Sequence, residues 1–168
     1  MNTLHHTKAG AGVHLLFGTD VVTIKATSHD TSGRMLVLEV TVPPGGGPPV
    51  LHRHAYTETF YFLAGTFRVS TAGDDYRLRT FEAEAGDTVT VPSRVWHNFR
   101  NTGTTPGRFL VVHSPADMEP LLQELGVPVA DPLHPPRPAG PPSAAEMQLL
   151  LERLGSYMEF LPPDQIAG

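Results

Sequence analysis

The chain contains no cysteine, which removes disulfides, thiolate metal sites and a cysteine nucleophile from consideration. It is also poor in charge. Only 17% of its residues are charged, with 12 Lys and Arg against 17 Asp and Glu, for a net charge of −5 with nine His counted neutral. A nucleic-acid partner needs a basic face for its phosphates, and no run of Lys and Arg supplies one. No apolar stretch approaches the ~20 residues that cross a bilayer. The first thirty residues lack a basic segment followed by an apolar run, so no secretory leader is read there. The absence of cysteine suits the cytoplasm, which is the expected location.

What the chain has in quantity is turn chemistry. With 16 Gly and 17 Pro in 168 residues, one domain of many short strands with extensions is favoured over a helical bundle. Residues 1–12 are polar and read as a flexible N-terminus. From Val13, runs rich in Val, Leu, Ile and Thr recur at 13–17, 20–26, 34–42, 57–63, 66–71, 76–81, 88–91, 96–101 and 108–113, separated by Gly, Pro and Asp. This spacing reads as an all-β antiparallel barrel or sandwich over 13–115. Residues 116–168 read as a helical and Pro-rich C-terminal extension. A short helix at 116–125 carries Pro120 in its first turn and stops at Gly126. A stiff linker follows at 127–142, with seven prolines. A second helix at 144–154 opens with a capping box formed by Ser143 and Glu146.

The chemistry concentrates in four residues. His52 and His54 are two apart, so in a strand both imidazoles project from one face. A continuous strand would carry Glu58 about 13 Å beyond His54, too far to share an ion whose donors lie about 2 Å away. If all three bind one ion, the chain turns within 55–57, with His52 and His54 ending one strand and Glu58 beginning its antiparallel neighbour. His97, opening the strand after the turn at Pro92, is the candidate fourth ligand. A lone His is most often a surface or hydrogen-bonded residue, but this set of offsets is a pattern.

The stretch Gly46-x5-His52-x-His54-x3-Glu58-x6-Gly65 resembles the first motif of the cupins at every fixed position. The stretch from Gly86-x5-Pro92 to His97-x3-Asn101 resembles the second, with one departure: Arg94 stands where that motif has glycine. The resemblance implies an antiparallel, jelly-roll-like cupin barrel holding one divalent transition-metal ion through His52, His54, Glu58 and His97. Three imidazoles and a carboxylate suit Fe, Mn, Ni, Co, Cu or Zn. Glycine in that turn often adopts a conformation costly for other residues, so Arg94 bears on the turn rather than on the ligands.

Strand parity extends the site. With Glu58 and His97 inward, Phe60, Phe62, Phe99 and Asn101 share their faces and form the expected substrate pocket; the competing reading is that the Phe rings simply fill the barrel. Tyr56, Tyr61 and Trp96 are read as packing or interface residues, His14 and His113 as structural, and Arg53 as pointing away from the metal. The function suggested is a metal-dependent dioxygenase similar to bacterial quercetin 2,3-dioxygenase-like single-domain cupins. It would act with O2 on a small aromatic or enolizable hydroxy substrate, with Glu58 as ligand and catalytic base. The alternatives are a metal-dependent isomerase, lyase or cyclase of a small carbonyl compound, and a non-catalytic small-molecule-binding cupin. A homodimer is the expected assembly.

Overall fold

The computed structural model describes residues 4–136 and 143–167, with the side chain of Glu146 outside that description. The chain runs through β1 (Val13–Phe17), β2 (Asp20–Ala26), β3 (Leu36–Val42), β4 (His52–Arg53), β5 (Thr57–Ala64), β6 (Thr66–Ala72), β7 (Leu78–Glu84), β8 (Thr88–Val91), β9 (Trp96–Asn101) and β10 (Gly107–Ser114). Beyond these lie α1 (Glu119–Leu125), β11 (Val127–Pro128), α2 (Ala144–Leu154) and β12 (Glu159–Phe160).

Two antiparallel sheets form the barrel. One has the order β11-β1-β2-β3-β10-β5-β8 and the other β12-β4-β9-β6-β7. Alternation sets which side faces in. In β3 every second residue is buried, from Leu36 to Val42, and in β5 the buried set is Glu58, Phe60 and Phe62. Register then stacks these residues in layers. Glu58 lies opposite His113 and Phe60 opposite Val111, while on the other sheet His97 lies opposite His52 and Thr71. One end of the barrel is therefore polar and the middle apolar. The middle is filled by Phe60, Phe62, Phe67, Phe99 and Phe109, whose ring centroids stand 5.0–6.3 Å apart in largely edge-to-face contacts. That spacing is where aromatic quadrupoles attract.

Several elements differ from the sequence reading. The strand expected at 76–81 begins at Leu78 and runs to Glu84, because Tyr76 closes a turn by donating to the Gly73 carbonyl. The segment expected as linker from 127 starts as a strand, with Val127 and Pro128 pairing to Leu16 and Leu15 of β1. The rest of that linker from 137 to 142, and the Glu146 half of the expected capping box, lie outside the described residues. Near the N-terminus, Thr7 donates to the Lys25 carbonyl and Lys25 Nζ to those of Lys8 and Ala11, laying this segment along β2.

The Gly/Pro loop at 43–49 packs tightly. A Cβ on Gly47, at φ +116°, would overlap the Phe99 carbonyl, so only glycine lets the loop lie on β9. Beneath it sits Asp20, buried, accepting from Thr19 Oγ1 at 2.8 Å and from the backbone of Gly47. Burial raises its carboxyl to about 6, from 3.8, although both hydrogen bonds act to lower it. Between those values the folded state binds the proton that the unfolded chain releases, so stability falls as pH rises from about 4 to 6. The loss amounts to at most about 3 kcal/mol. Asp20→Asn, which keeps an acceptor without the charge, should raise the thermal midpoint at pH 7 by several degrees and lose that advantage below about pH 4. Equal midpoints for variant and wild type across pH 4–7 would contradict this.

Candidate metal centre

The local chain path explains why the ligand set converges. His52 is in β4, which lies in the five-stranded sheet beside β9 and β12, whereas Glu58 is in β5 of the seven-stranded sheet. The two are thus not on antiparallel neighbours, as the sequence reading had them. The chain crosses from one sheet to the other at 54–56, and the His residues face Glu58 across the barrel. The cause is pairing: β4 finds its partners in β9 and β12, and β5 in β10 and β8.

One nitrogen from each of His52, His54 and His97 lies within 4.8 Å of the others, and all three residues are buried. Backbone carbonyls orient two of the rings. His54 Nδ1 lies 2.9 Å from the Tyr56 carbonyl and His97 Nδ1 2.8 Å from that of Val95. A ring donating through Nδ1 presents its Nε2 lone pair, the usual second contact of a metal-binding His. His54 Nε2 and His97 Nε2 are buried, and both face the Glu58 carboxylate. Three buried imidazoles that bring one nitrogen each this close, beside a carboxylate, are a donor set that fits a divalent ion.

Glu58 closes the cluster. Its Oε1 lies 3.1 Å from His54 Nε2 and 3.0 Å from His113 Nε2, and its Oε2 3.2 Å from His97 Nε2. Burial alone would raise this carboxyl, but the neighbouring imidazoles, His113 first, outweigh it and hold the group well below the usual carboxylate range. His52, by contrast, is pushed down to about 3, by burial first and then by His97, so its lone pair is free at neutral pH. For His97, burial opposes protonation but Glu58 prevails and raises it.

The sequence reading missed His113. It is buried beside Glu58, its cross-strand partner, and no spacing in the sequence reveals that register. Tyr56, read as packing, is buried too, with its ring stacked 3.7 Å over His54 and its hydroxyl 3.1 Å from Met118 Sδ. Phe60, Phe62 and Phe99 line a cavity with His97 and Asn98, but the space they leave is about 10 Å³, room for about one water. Asn101 lies in another layer. Its amide donates to the carbonyls of Val42 and Thr105 and accepts from the Gly103 N–H, so it braces a turn.

Arg94 adopts φ +63°, the conformation its glycine counterpart would supply, at a cost of about 1 kcal/mol for a residue with a side chain. Its N–H donates to the His54 carbonyl at 2.8 Å, so the turn holds the His54 backbone directly. Arg53, as read, turns outward, lying 4.2 Å over the Trp96 ring.

Fold and nitrogen cluster together define a metal-binding antiparallel β-barrel. A family model described as "Cupin domain" matches residues 38–113. Quercetin 2,3-dioxygenase of Bacillus subtilis (strain 168) is 31% identical over 132 residues, covering 78% of this chain and 37% of the relative. Oxalate decarboxylase OxdC of the same organism is 32% identical over 96 residues, covering 56% of this chain and 25% of the relative. The polyketide cyclase RemF from Streptomyces resistomycificus superposes with a TM-score of 0.58 at 20% identity, covering 67% of this chain and 80% of that one, a likeness of fold alone. The chain belongs to the cupin superfamily. It spans little more than a third of the longer match among these curated relatives. Among the described residues, no helix is long and apolar enough to cross a membrane.

Replacing His113 tests its part in the cluster. His113→Leu removes the neighbour that most lowers the Glu58 carboxyl, so protons should compete with metal at higher pH. The pH of half-maximal Zn2+ binding, followed by titration with a chromogenic chelator, should rise relative to wild type. An unchanged midpoint would show that His113 only packs.

Proposed function

We propose that this chain is a metal-dependent cupin dioxygenase, acting on a small enolizable hydroxy substrate, in which Glu58 is both the fourth ligand and the proton acceptor. The observation that carries the reading is a buried carboxylate, held well below its usual range, on which the buried nitrogens of His54 and His97 converge from across the barrel. His52, His54, His97 and Glu58 would hold a divalent ion and would leave room on it for a substrate oxygen. An ion held there would acidify a hydroxyl that it bound.

This matters because Glu58, held well below its usual range, is a weak base on its own. His54 and His113 share Oε1, whereas Oε2 has His97 as its neighbour. We assign the accepted proton to Oε2. His113 keeps the carboxylate oriented while the charge changes, and Tyr56, stacked on His54, shields that ligand from water. Phe60, Phe62 and Phe99 make the apolar wall against which the substrate carbon skeleton would lie, and Asn101 takes no part. The 31% identity to a protein named quercetin 2,3-dioxygenase supports the oxygenase class.

A second reading has an observation of its own. The cavity is so small that the aromatic cluster must shift to admit a flat bicyclic molecule, whereas a small carbonyl or carboxylate compound needs far less room. The relative named oxalate decarboxylase is in keeping with that, and a lyase, isomerase or cyclase would turn over without O2. The test is oxygen uptake by metal-loaded protein over a panel of flavonols, smaller enolizable phenols and hydroxycarbonyl compounds, with anaerobic product analysis beside it. The oxygenase reading expects O2 consumption in step with product, and turnover reduced about 100-fold or more in Glu58→Gln that still holds metal. Anaerobic turnover at the aerobic rate would establish the second reading. A near wild-type rate in metal-bound Glu58→Gln would remove the base role.

A further inference from the structure

Two features of this chain lie outside the chemistry above: an arginine at a left-handed turn position, and a C-terminal arm that returns to the barrel. The structure joins them. Glu159 and Phe160 of β12 pair with Arg53 and His52 of β4, and the Leu161 N–H donates to the Leu51 carbonyl at 2.9 Å. Leu161 is fully buried with Leu51, Ala72 and Trp96 in a second, smaller core. One carboxylate ties the remaining parts together. Glu159 Oε2 accepts from Arg53 Nε at 3.0 Å and from its terminal nitrogen at 2.5 Å, and Oε1 accepts from Arg94 at 3.0 Å. The Arg94 N–H in turn holds the His54 carbonyl.

We infer that this arm is a clamp that positions the metal ligands, with Glu159 as its fastener and Arg94 as the residue that receives it. The connections form a closed loop around the ligand segment. The arm holds Leu51, His52 and Arg53 along one edge, Arg94 holds His54, and Glu159 links Arg94 to Arg53. Trp96, next to His97, is covered from one side by Arg53 and packed by Leu161. β4 has only two residues and pairs with β9 at one position, so without the arm little would fix it. The arm thus explains the departure from glycine: a side chain is needed at 94 to reach Glu159, and the backbone strain is offset by what that contact holds in place. Exposed ion pairs contribute little singly, but the proposal concerns the geometry of neighbouring ligands, where such supports typically change metal affinity by 10-fold or more. It rests on the metal-site reading, and the experiment separates the two.

The test uses the full chain with Glu159→Gln and Arg94→Gly. Glycine relieves the strain of φ +63°, so Arg94→Gly should keep or raise the thermal midpoint of the metal-free protein. The clamp predicts that both variants nonetheless release Zn2+ to a chelator about 10-fold faster than wild type. It also predicts faster amide hydrogen exchange over residues 50–56 in the metal-free proteins. Arg94→Lys, which keeps a cation at that position, should restore part of the retention relative to Arg94→Gly. Wild-type release and wild-type exchange in both variants would overturn the clamp. If wild type binds no Zn2+, the metal reading fails, and exchange over 50–56 alone then decides the clamp: faster in both variants supports it, unchanged overturns it.

Discussion

A carboxylate taken wholly out of water is costly unless charge and hydrogen bonds replace its hydration. Glu58 is in that position, and the polar end of the barrel is arranged around it. His54, His97 and His113 reach it from two sheets, which requires β4 and β9 to face β5 and β10 at one level. The apolar layers beneath it follow from the same registers. Phe60 and Phe62 continue the Glu58 face, Phe99 continues that of His97, and the five phenylalanines exclude water from the floor of the cluster. The low dielectric they create strengthens each charge interaction above them.

Much of this was legible in the sequence, and the limits have physical causes. Long strands show themselves because alternation over six to eight residues is a local signal, so β2, β3, β5, β9 and β10 lie within a residue or two of their expected positions. β4, β11 and β12 have two residues each and no periodicity to display. Parity gives the face on which a side chain lies but not its layer. It turns Asn101 inward, yet that amide is spent on the Val42 and Thr105 carbonyls, with the Phe99 layer between it and the histidines. His113 is the converse case. Its role depends on pairing with Glu58 in a register that only the folded sheet defines. The Arg94 turn could be anticipated from the glycine it replaces, but its partner Glu159 lies 65 residues further on.

The two ends of the barrel carry different risks for the molecule. In the core, close packing of aromatic rings gives stability and leaves little space, so substrate size is governed by how far Phe60, Phe62 and Phe99 can move. At the ligand end, stability and function pull apart. The strained Arg94 and the buried Glu58 carboxylate both cost stability at that end, and each is offset by the contacts that hold the histidines around it.

Whether an ion sits among His52, His54, Glu58 and His97 is read from its stoichiometry. Protein carrying His5→Ala and His6→Ala, so that the N-terminal pair cannot add ions, would be loaded with Zn2+, dialysed and measured by inductively coupled plasma mass spectrometry. Close to one ion per chain is expected, falling to near zero in His52→Ala and in His97→Ala. Retention of a full ion by both variants, or none by the parent, would contradict it.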